Sequence, residues 1–297
     1  MTIVIAGGSG FLGRKLAKRL TDQGHSVVTL SRRPSGGGNA IAWQPDGNAG
    51  SLPQHLEGVD AVVNLAGENI ADKRWTTARK AALRNSRILS TRTLARAVAL
   101  CADPPNVFIN GSAIGYYGAH GDEPITESTR AGSDFLARVC VEWEAEASKV
   151  ESDATRLVVV RTGLPLDRDE GALGKMLLPF KLCLGATLGS GDQFMPWIHV
   201  DDWTAMISWL IQNDRAAGVF NVTAPAPVTN RTFTQALARA VHRPAILHAP
   251  EFVLRAALGE MASVLVHGQR VLPAAAEQFG FRFTHRTLGP ALESLNL

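Results

Sequence analysis

Tyrosine is close to absent from this chain: there are two in 297 residues, Tyr116 and Tyr117, side by side. Cysteine is nearly as scarce. Cys101, Cys140 and Cys183 are widely spaced, with no C-x-x-C and no paired framework. That argues against a disulfide scaffold and fits reduced, buried thiols in a cytosolic protein. Charge of one sign is also lacking. A formal charge of +3, with no dense Lys/Arg tract interleaved with aromatics, gives no case for nucleic acid. No apolar run approaches about 18 residues, so no membrane span is expected. The first residues already read as a core strand, which leaves no room for a signal peptide. Internal repeats and low-complexity segments are missing too. With 45% hydrophobic and 19% charged residues, the expectation is a cytoplasmic globular protein, monomer or homodimer, whose partner is a small molecule.

What the chain does have is concentrated at its start, MTIVIAGGSGFLGRKLAKRL. Thr2 to Ala6 is a short apolar, β-branched run that suits a fully buried parallel strand. It stops at Gly7, Gly8, Ser9 and Gly10, and by Gly13 the pattern is that of an amphipathic helix. Phe11, Leu12, Leu16 and Leu20 fall near one face; Arg14, Lys15, Lys18 and Arg19 stay wet. Gly7 permits a sharp turn off the strand, Gly10 a close approach to a pyrophosphate, and Gly13 tight packing of helix on strand. Free N–H groups at the helix start suit phosphate. A Gly-x-x-Gly-x-x-Gly is weak by itself. Placed between a strand and a helix, it reads as a dinucleotide-phosphate cradle rather than a bare turn. Gly7, Gly10, Phe11, Leu12 and Gly13 are the first expected cofactor contacts.

The second strand, His25 to Leu30, decides which dinucleotide. A site for NAD wants an acidic residue near its end; this chain offers Ser31, Arg32 and Arg33. A hydroxyl and two guanidiniums suit a 2′-phosphate, favouring NADP(H) over a merely solvated surface pair. Residues 34–39, PSGGGN, are expected to loop over the adenine side. A short third strand is expected at Ala40 to Trp43. Asp60 to Leu65 is the fourth, and it runs into Ala66, Gly67 and Glu68, where small residues let the backbone lie close to the cofactor. Leu65 through Glu68 join the expected contacts.

Trp75 to Cys101 reads as one long helix with a possible break near Asn85–Ser86. Asn106 to Asn110 is the fifth strand, followed by Gly111 and Ser112. The polar loop from Ala119 to Ser133 is long enough to suggest a role of its own. Asp134 is placed to N-cap a helix running to about Lys149. Arg156 to Arg161 is the sixth strand, left through Gly163 and Leu164; Gly111, Ser112, Arg161, Gly163 and Leu164 complete the cofactor set. Alternation of apolar strands with helices gives an α/β fold with a doubly wound parallel sheet. Later elements are helices at Leu173–Cys183, from an Asp201-Asp202 cap to about Asn213, and at Arg231–Val241, with a strand at Val219–Val222. Short helices follow from Pro250, ending in an amphipathic one at Leu288–Leu295. Residues 1–165 with part of 198–225 form the dinucleotide-binding domain, 166–249 the substrate lobe, and 250–297 a small helical domain.

GGSGFLG, NLAG, the strand end at Ser112, Tyr117-Gly118 and IHVDDW resemble, in order and spacing, the extended short-chain dehydrogenase/reductase superfamily, which includes nucleotide-sugar epimerases and dehydratases. NLAGENI, GSAIGYYG, DFLARVCVEWE, RTGLPLD and PWIHVDDW further resemble the branch called epimerase family proteins, sometimes labelled division inhibitors. ALGEMA and GQRVLPAAAEQFGFRF look like that branch's small C-terminal domain of unassigned role. The resemblance covers nearly the whole chain and implies a Rossmann-like sheet with a smaller C-terminal α-rich substrate lobe. In the superfamily a Tyr-x-x-x-Lys pair lies on one face of the helix after the serine strand. The Lys ammonium and the cofactor lower the phenol's pKa, so it can pass a proton as hydride moves. Here, if Glu144 aligns with the superfamily's later glutamate, Leu136 and Cys140 stand in those two places. Neither tyrosine has a lysine four residues on.

Three functions follow from the resemblance. The first is an NADPH-dependent oxidoreductase with a rewired site. Ser112 matches the serine that hydrogen-bonds a substrate carbonyl, or else satisfies backbone. Tyr117 supplies a proton or packs beside the nicotinamide. Arg87 falls where the superfamily often has an active-site Asn, and Glu68 lies on the cofactor loop; either orients or polarises substrate. Cys140 reads as core, His199 as a structural partner of its helix, and no metal site is expected. The second function is an NADPH-binding sensor or interaction protein without turnover, and the third a nucleotide-sugar epimerase. Leu173, Met176, Leu177, Phe180, Phe194, Met195, Pro196 and Trp197 form either an apolar substrate lining or plain core or a dimer face.

Overall fold

Seven segments line up; the inner ones bury both faces, as a sheet covered by helices on each side allows, and the two at one edge are mostly half-buried. They are β1 (Thr2–Ala6), β2 (Ser26–Ser31), β3 (Ala40–Ala42), β4 (Ala61–Asn64), β5 (Val107–Ala113), β6 (Arg156–Thr162) and β7 (Gly218–Val222). All are parallel, in the order β7-β6-β5-β4-β1-β2-β3. The computed structural model describes residues 1–34 and 39–297, so most of the loop expected over the adenine side lies outside the described residues.

Alternate residues of each strand feed opposite cores. Ile3, Ile5, Val63, Ile109 and Val160 pack with Leu16 and Trp203 on one face; Val4, Val62, Phe108 and Val159 pack with Leu94 and Val98 on the other. Each such side chain, fully buried, contributes roughly 1.5–3 kcal/mol. Strand order reverses direction between β1 and β4. The crevice beyond their carboxyl ends is therefore where a doubly wound sheet takes its ligand.

The helices α1 (Phe11–Asp22), α2 (Thr77–Val98), α3 (Phe135–Ala147), α4 (Gly171–Lys181), α5 (Val200–Gln212), α6 (Asn230–Ala240) and α7 (Glu251–Leu258) are the main covering elements. Asp134 caps α3 through its side chain, which accepts from the Ala137 N–H, as the sequence suggests. Three local expectations change. The long helix does not break at Asn85–Ser86, because the Ser86 hydroxyl bonds back to the Leu83 carbonyl within it. β5 continues through Gly111, Ser112 and Ala113, since these pair with Val160, Arg161 and Thr162 of β6. The cap of α5 is His199, whose Nδ1 accepts from the Asp201 N–H at 3.1 Å; the two aspartates lie inside the first turn.

Beyond the sheet, Leu166, Leu173, Leu177, Phe180 and Trp197 form a third core with Phe233, Leu237, Leu288 and Leu292. The tail is not wholly helical. Arg270–Val271 pairs in parallel with Pro124–Ile125, so a piece of the C-terminal segment is built into the long loop after β5.

Candidate active site

At the end of β1 the chain turns through Gly7, whose φ of +82° is open to glycine at no cost. A Cβ at Gly13 would meet the Gly7 oxygen at 2.2 Å, so α1 rests directly on the turn. Gly10 caps α1 with extended backbone; no side chain caps the helix and no acid lies in its first turn. The N–H groups of Phe11, Leu12 and Gly13 have no partner inside the helix by its geometry. They form an anion cradle at the switch point, which fits a diphosphate. Gly7 also packs on the Leu65–Ala66 backbone, bringing the end of β4 to the same crevice. At the end of β2, Ser31 is half-buried and its Oγ accepts from the Arg33 N–H at 3.2 Å, while the Arg32 and Arg33 side chains are exposed.

A second group sits beyond β5 and β6. Ser112, buried, donates from Oγ to Glu144 Oε1 at 2.6 Å. Glu144, on α3, is gripped by Arg161 of β6, with Nε to Oε1 at 2.9 Å and Nη2 to Oε2 at 2.7 Å. Arg161 also donates from Nη1 to the Tyr117 oxygen at 3.0 Å, and its guanidinium lies 3.3 Å from the Tyr116 ring centre. Burial opposes the Arg161 charge, yet the Glu144 carboxylate and the Tyr117 oxygen hold its pKa above the ordinary value. Tyr117 in turn donates to Asn221 Oδ1 at 2.6 Å, and Asn221 Nδ2 donates to the Leu272 carbonyl of the tail at 3.0 Å. Tyr117 has no exposed surface, and burial pushes its phenol pKa up.

Leu136 lies against Gly115, and the Cys140 thiol lies beside Ser112 and the Ala113 carbonyl. Burial drives the Cys140 pKa up to about 11, with the Glu144 charge adding to it. An ammonium and a low-pKa phenol therefore have no counterpart on this helix face; a leucine and a protonated thiol occupy it.

Arg87, on α2, reaches over the end of β4. Its Nη2 donates to the Glu68 carbonyl at 3.0 Å and its Nη1 to the Leu83 carbonyl at 2.9 Å. Its guanidinium stands 5.3 Å from the Trp143 ring centre and touches Gly67. The Glu68 carboxylate is ion-paired with Arg79, and the Glu68 N–H donates to Ser86 Oγ. Gly111 packs under Trp143 and the Asn64 carbonyl; Gly163 sits against the Pro196 carbonyl, with half-buried Leu164 after it. The structure thus gathers Glu68, Arg87, Gly111 and Ser112 around the ends of β4 and β5. Tyr117 and Arg161 stand behind Ser112, closed off from solvent.

His199 lies apart from this group. Its Nε2 is 3.3 Å from Ser294 Oγ, and its ring stacks on His285 at 3.8 Å. His199, Asp201 and His285 bring ligand-type atoms within 4.8 Å of one another. Both nitrogens of His199 already serve in hydrogen bonds. Of the expected apolar lining, Leu173, Leu177, Phe180 and Trp197 are buried in the third core, and Met176 and Met195 pack against it.

Sequence reasoning passed over Asn221 and the tail carbonyl of Leu272. Asn221 sits in the apolar run GVFNV, where only its polarity among buried neighbours marks it.

A doubly wound sheet with a glycine cradle at its switch point defines a nucleotide-binding α/β protein of the short-chain dehydrogenase/reductase kind. Residues 3–223 match the NAD dependent epimerase/dehydratase family, and residues 249–295 match a domain of unknown function, DUF1731. The chain belongs to that epimerase/dehydratase family. Epimerase family protein Mb2239 of Mycobacterium bovis is 42% identical over 292 residues, covering 98% of this chain and 96% of that one. Epimerase family protein YfhF of Bacillus subtilis is 41% identical over 300 residues, covering 99% and 98%. A crystal structure of human epimerase family protein SDR39U1 (isoform 2) with NADPH superposes with a TM-score of 0.93 at 35% identity, covering 100% of this chain and 99% of that one. No helix among the described residues is long and apolar enough to cross a membrane.

Proposed function

We propose that this chain binds NADP(H) and acts as a cytoplasmic oxidoreductase on a small molecule, with Ser112 and Glu144 in place of the usual Tyr–Lys relay. Gly7, Gly10, Phe11, Leu12 and Gly13 would hold the diphosphate, and Ser31, Arg32 and Arg33 the 2′-phosphate. The observation that carries this reading is the end of β2, where two guanidiniums follow Ser31 in place of a carboxylate. The NADPH in the human relative's crystal structure supports the same choice.

When bound, NADP(H) supplies or accepts a hydride. The chain's own part is to handle the proton. Arg161 fixes the Glu144 carboxylate by a two-point grip. The Ser112 proton is given to that carboxylate, so the free lone pairs of Ser112 Oγ are left to accept. A substrate hydroxyl donates to Ser112 Oγ; as its proton moves there, the serine proton moves to Glu144 Oε1. In the reverse direction Glu144 returns a proton through Ser112 to a carbonyl oxygen.

The test is a purified chain, NADPH, and a panel of aldehydes, ketones and enones. Oxidation of NADPH by a panel member, lost in Ser112→Ala while NADPH binding is retained, is the expected result. Binding without oxidation of NADPH by any member favours the second reading, a sensor or interaction protein without turnover. That reading draws its support from Leu136 and Cys140 in the relay positions.

A further inference from the structure

The Arg87 guanidinium is a cation without a carboxylate of its own. It is anchored by two neutral carbonyls, those of Leu83 and Glu68, which use two of its five N–H donors. The titratable and charged groups facing it are few. From its own helix comes Arg79, and from the β4 loop comes Glu68; from α3 come Cys140 and, beyond that thiol, Glu144. Glu68 is ion-paired with Arg79, and Glu144 with Arg161. Cys140 is a neutral thiol. The neighbouring Arg84 has its own partner in Glu142. Among the described residues, Arg79 and Arg87 thus share one acid between them. The buried Arg79 Nε–H also has no hydrogen-bond partner.

Burial lowers the Arg87 pKa and Arg79 repels it further, so the chain maintains this charge against its surroundings. A solvated salt bridge would be easier to keep. What the position offers is reach. Arg87 touches Gly67 at the end of β4, and Cys140 neighbours both Arg87 and Ser112 at the end of β5. Its flank is the Trp143 ring, which keeps one face of the guanidinium dry.

We propose that Arg87 is the docking point for a carboxylate on the substrate, which makes the substrate an organic acid carrying its hydroxyl or carbonyl close to the acid group. A planar guanidinium with donors free along an edge matches a carboxylate fork for fork. With Arg79 already engaged by Glu68, Arg87 offers one free guanidinium, the match for a single carboxylate. The hydroxyl or carbonyl end then faces Ser112. This inference rests on the oxidoreductase reading for the phrase "substrate", but its test reads binding rather than turnover.

The probes are 4-phenyl-2-oxobutanoate and its uncharged twin 4-phenylbutan-2-one, titrated into the full chain loaded with NADP+ and followed by calorimetry. The Nε–H resonance of Arg87 is followed in parallel by nitrogen-15 NMR. The acid is expected to bind at least about tenfold more tightly than the ketone and to shift that resonance. Arg87→Gln is expected to bring the acid down to the ketone's level, and Arg87→Lys to retain part of the difference. Equal binding of the two probes, no binding of the acid, or an unchanged acid affinity in Arg87→Gln overturns the proposal. The acid–ketone comparison on the unaltered chain stands even if a variant folds poorly. Failure to bind NADP+ at all sinks the cofactor reading instead, and titration of the free chain still decides the carboxylate question.

Discussion

Ser112 Oγ lies 2.6 Å from Glu144 Oε1 and donates its proton to it. The serine that the superfamily resemblance casts as a donor to substrate therefore has its donor in use, and Glu144 is held in turn by Arg161. Breaking a buried ion pair from one side leaves the other charge uncompensated, which costs about 3–5 kcal/mol. Glu144→Gln is expected to lower stability by an amount in that range in urea unfolding. Ser112→Ala, which removes one hydrogen bond to the carboxylate and leaves the ion pair standing, should cost less, about 1.5–3 kcal/mol. Equal effects of the two changes would mean that Arg161 does not depend on Glu144.

The contact of α1 with the glycine turn is tight enough to test by one methyl group. A Cβ at Gly13 would sit 2.2 Å from the Gly7 oxygen, whereas one at Gly289, in the last helix, meets nothing within 4 Å. Gly13→Ala is expected to weaken NADPH binding at least about tenfold and to lower the melting temperature. Gly289→Ala should raise stability by roughly 0.5–1 kcal/mol, because alanine is the better helix former. Calorimetry and thermal melts check both.

The three thiols should differ sharply in reactivity. Cys140 is buried with its pKa pushed up to about 11, and burial also raises that of Cys101, whereas Cys183 is exposed. Only the thiolate attacks disulfide reagents. Native protein at neutral pH should release one equivalent rapidly on treatment with an aromatic disulfide, and none in Cys183→Ser. Unfolding should expose the rest. Fast modification of Cys140 in the native state would contradict its placement.

His199 gives a pH dependence with a defined sign. Burial lowers its pKa below the ordinary 6.5, and the neighbouring His285 adds to this against the opposing charges of Asp201, Asp202 and Asp167. The folded state thus prefers the neutral ring, whose Nδ1 accepts the Asp201 N–H. A group depressed in this way contributes its stability in full above the unfolded pKa and loses it as pH falls toward and through the folded one. The melting temperature should fall on acidification below about pH 6.5. His199→Asn, which keeps a capping side chain, should flatten that part of the profile. An unchanged profile would place the acid sensitivity elsewhere.

The cofactor half of the site is readable in the chain because its parts are consecutive. One strand, four glycines and a helix stand in the first twenty-two residues, and the basic pair follows the next strand directly. The hydrogen-bonded network around Ser112 is assembled from separate elements: Ser112 on β5, Glu144 on α3, Arg161 on β6, Asn221 on β7, and a backbone carbonyl at Leu272. No spacing rule connects these, and a carbonyl leaves no mark on a sequence. Local rules misled in a similar way at three points. Gly111 and Ser112 look like a strand stop, yet pairing with β6 carries the strand through them. Ser86 looks like a helix break, yet its hydroxyl is satisfied within the helix. Asp201 is the better capping residue by type, but His199 stands one position ahead of the helix and takes the role. Of the apolar residues read as either a substrate lining or plain core or a dimer face, Leu173, Leu177, Phe180 and Trp197 lie in the third core.

In the proposed site the α1 cradle and the two guanidiniums after β2 select a phosphorylated adenosine ribose. Side-by-side titration with NADPH and NADH tests it most directly. NADPH is expected to bind at least about tenfold more tightly, with Arg32→Ala and Arg33→Ala together erasing most of that preference, since charge-assisted contacts contribute about 1.5–3 kcal/mol each. Equal affinity for the two, or a preference for NADH in the unaltered chain, would contradict it.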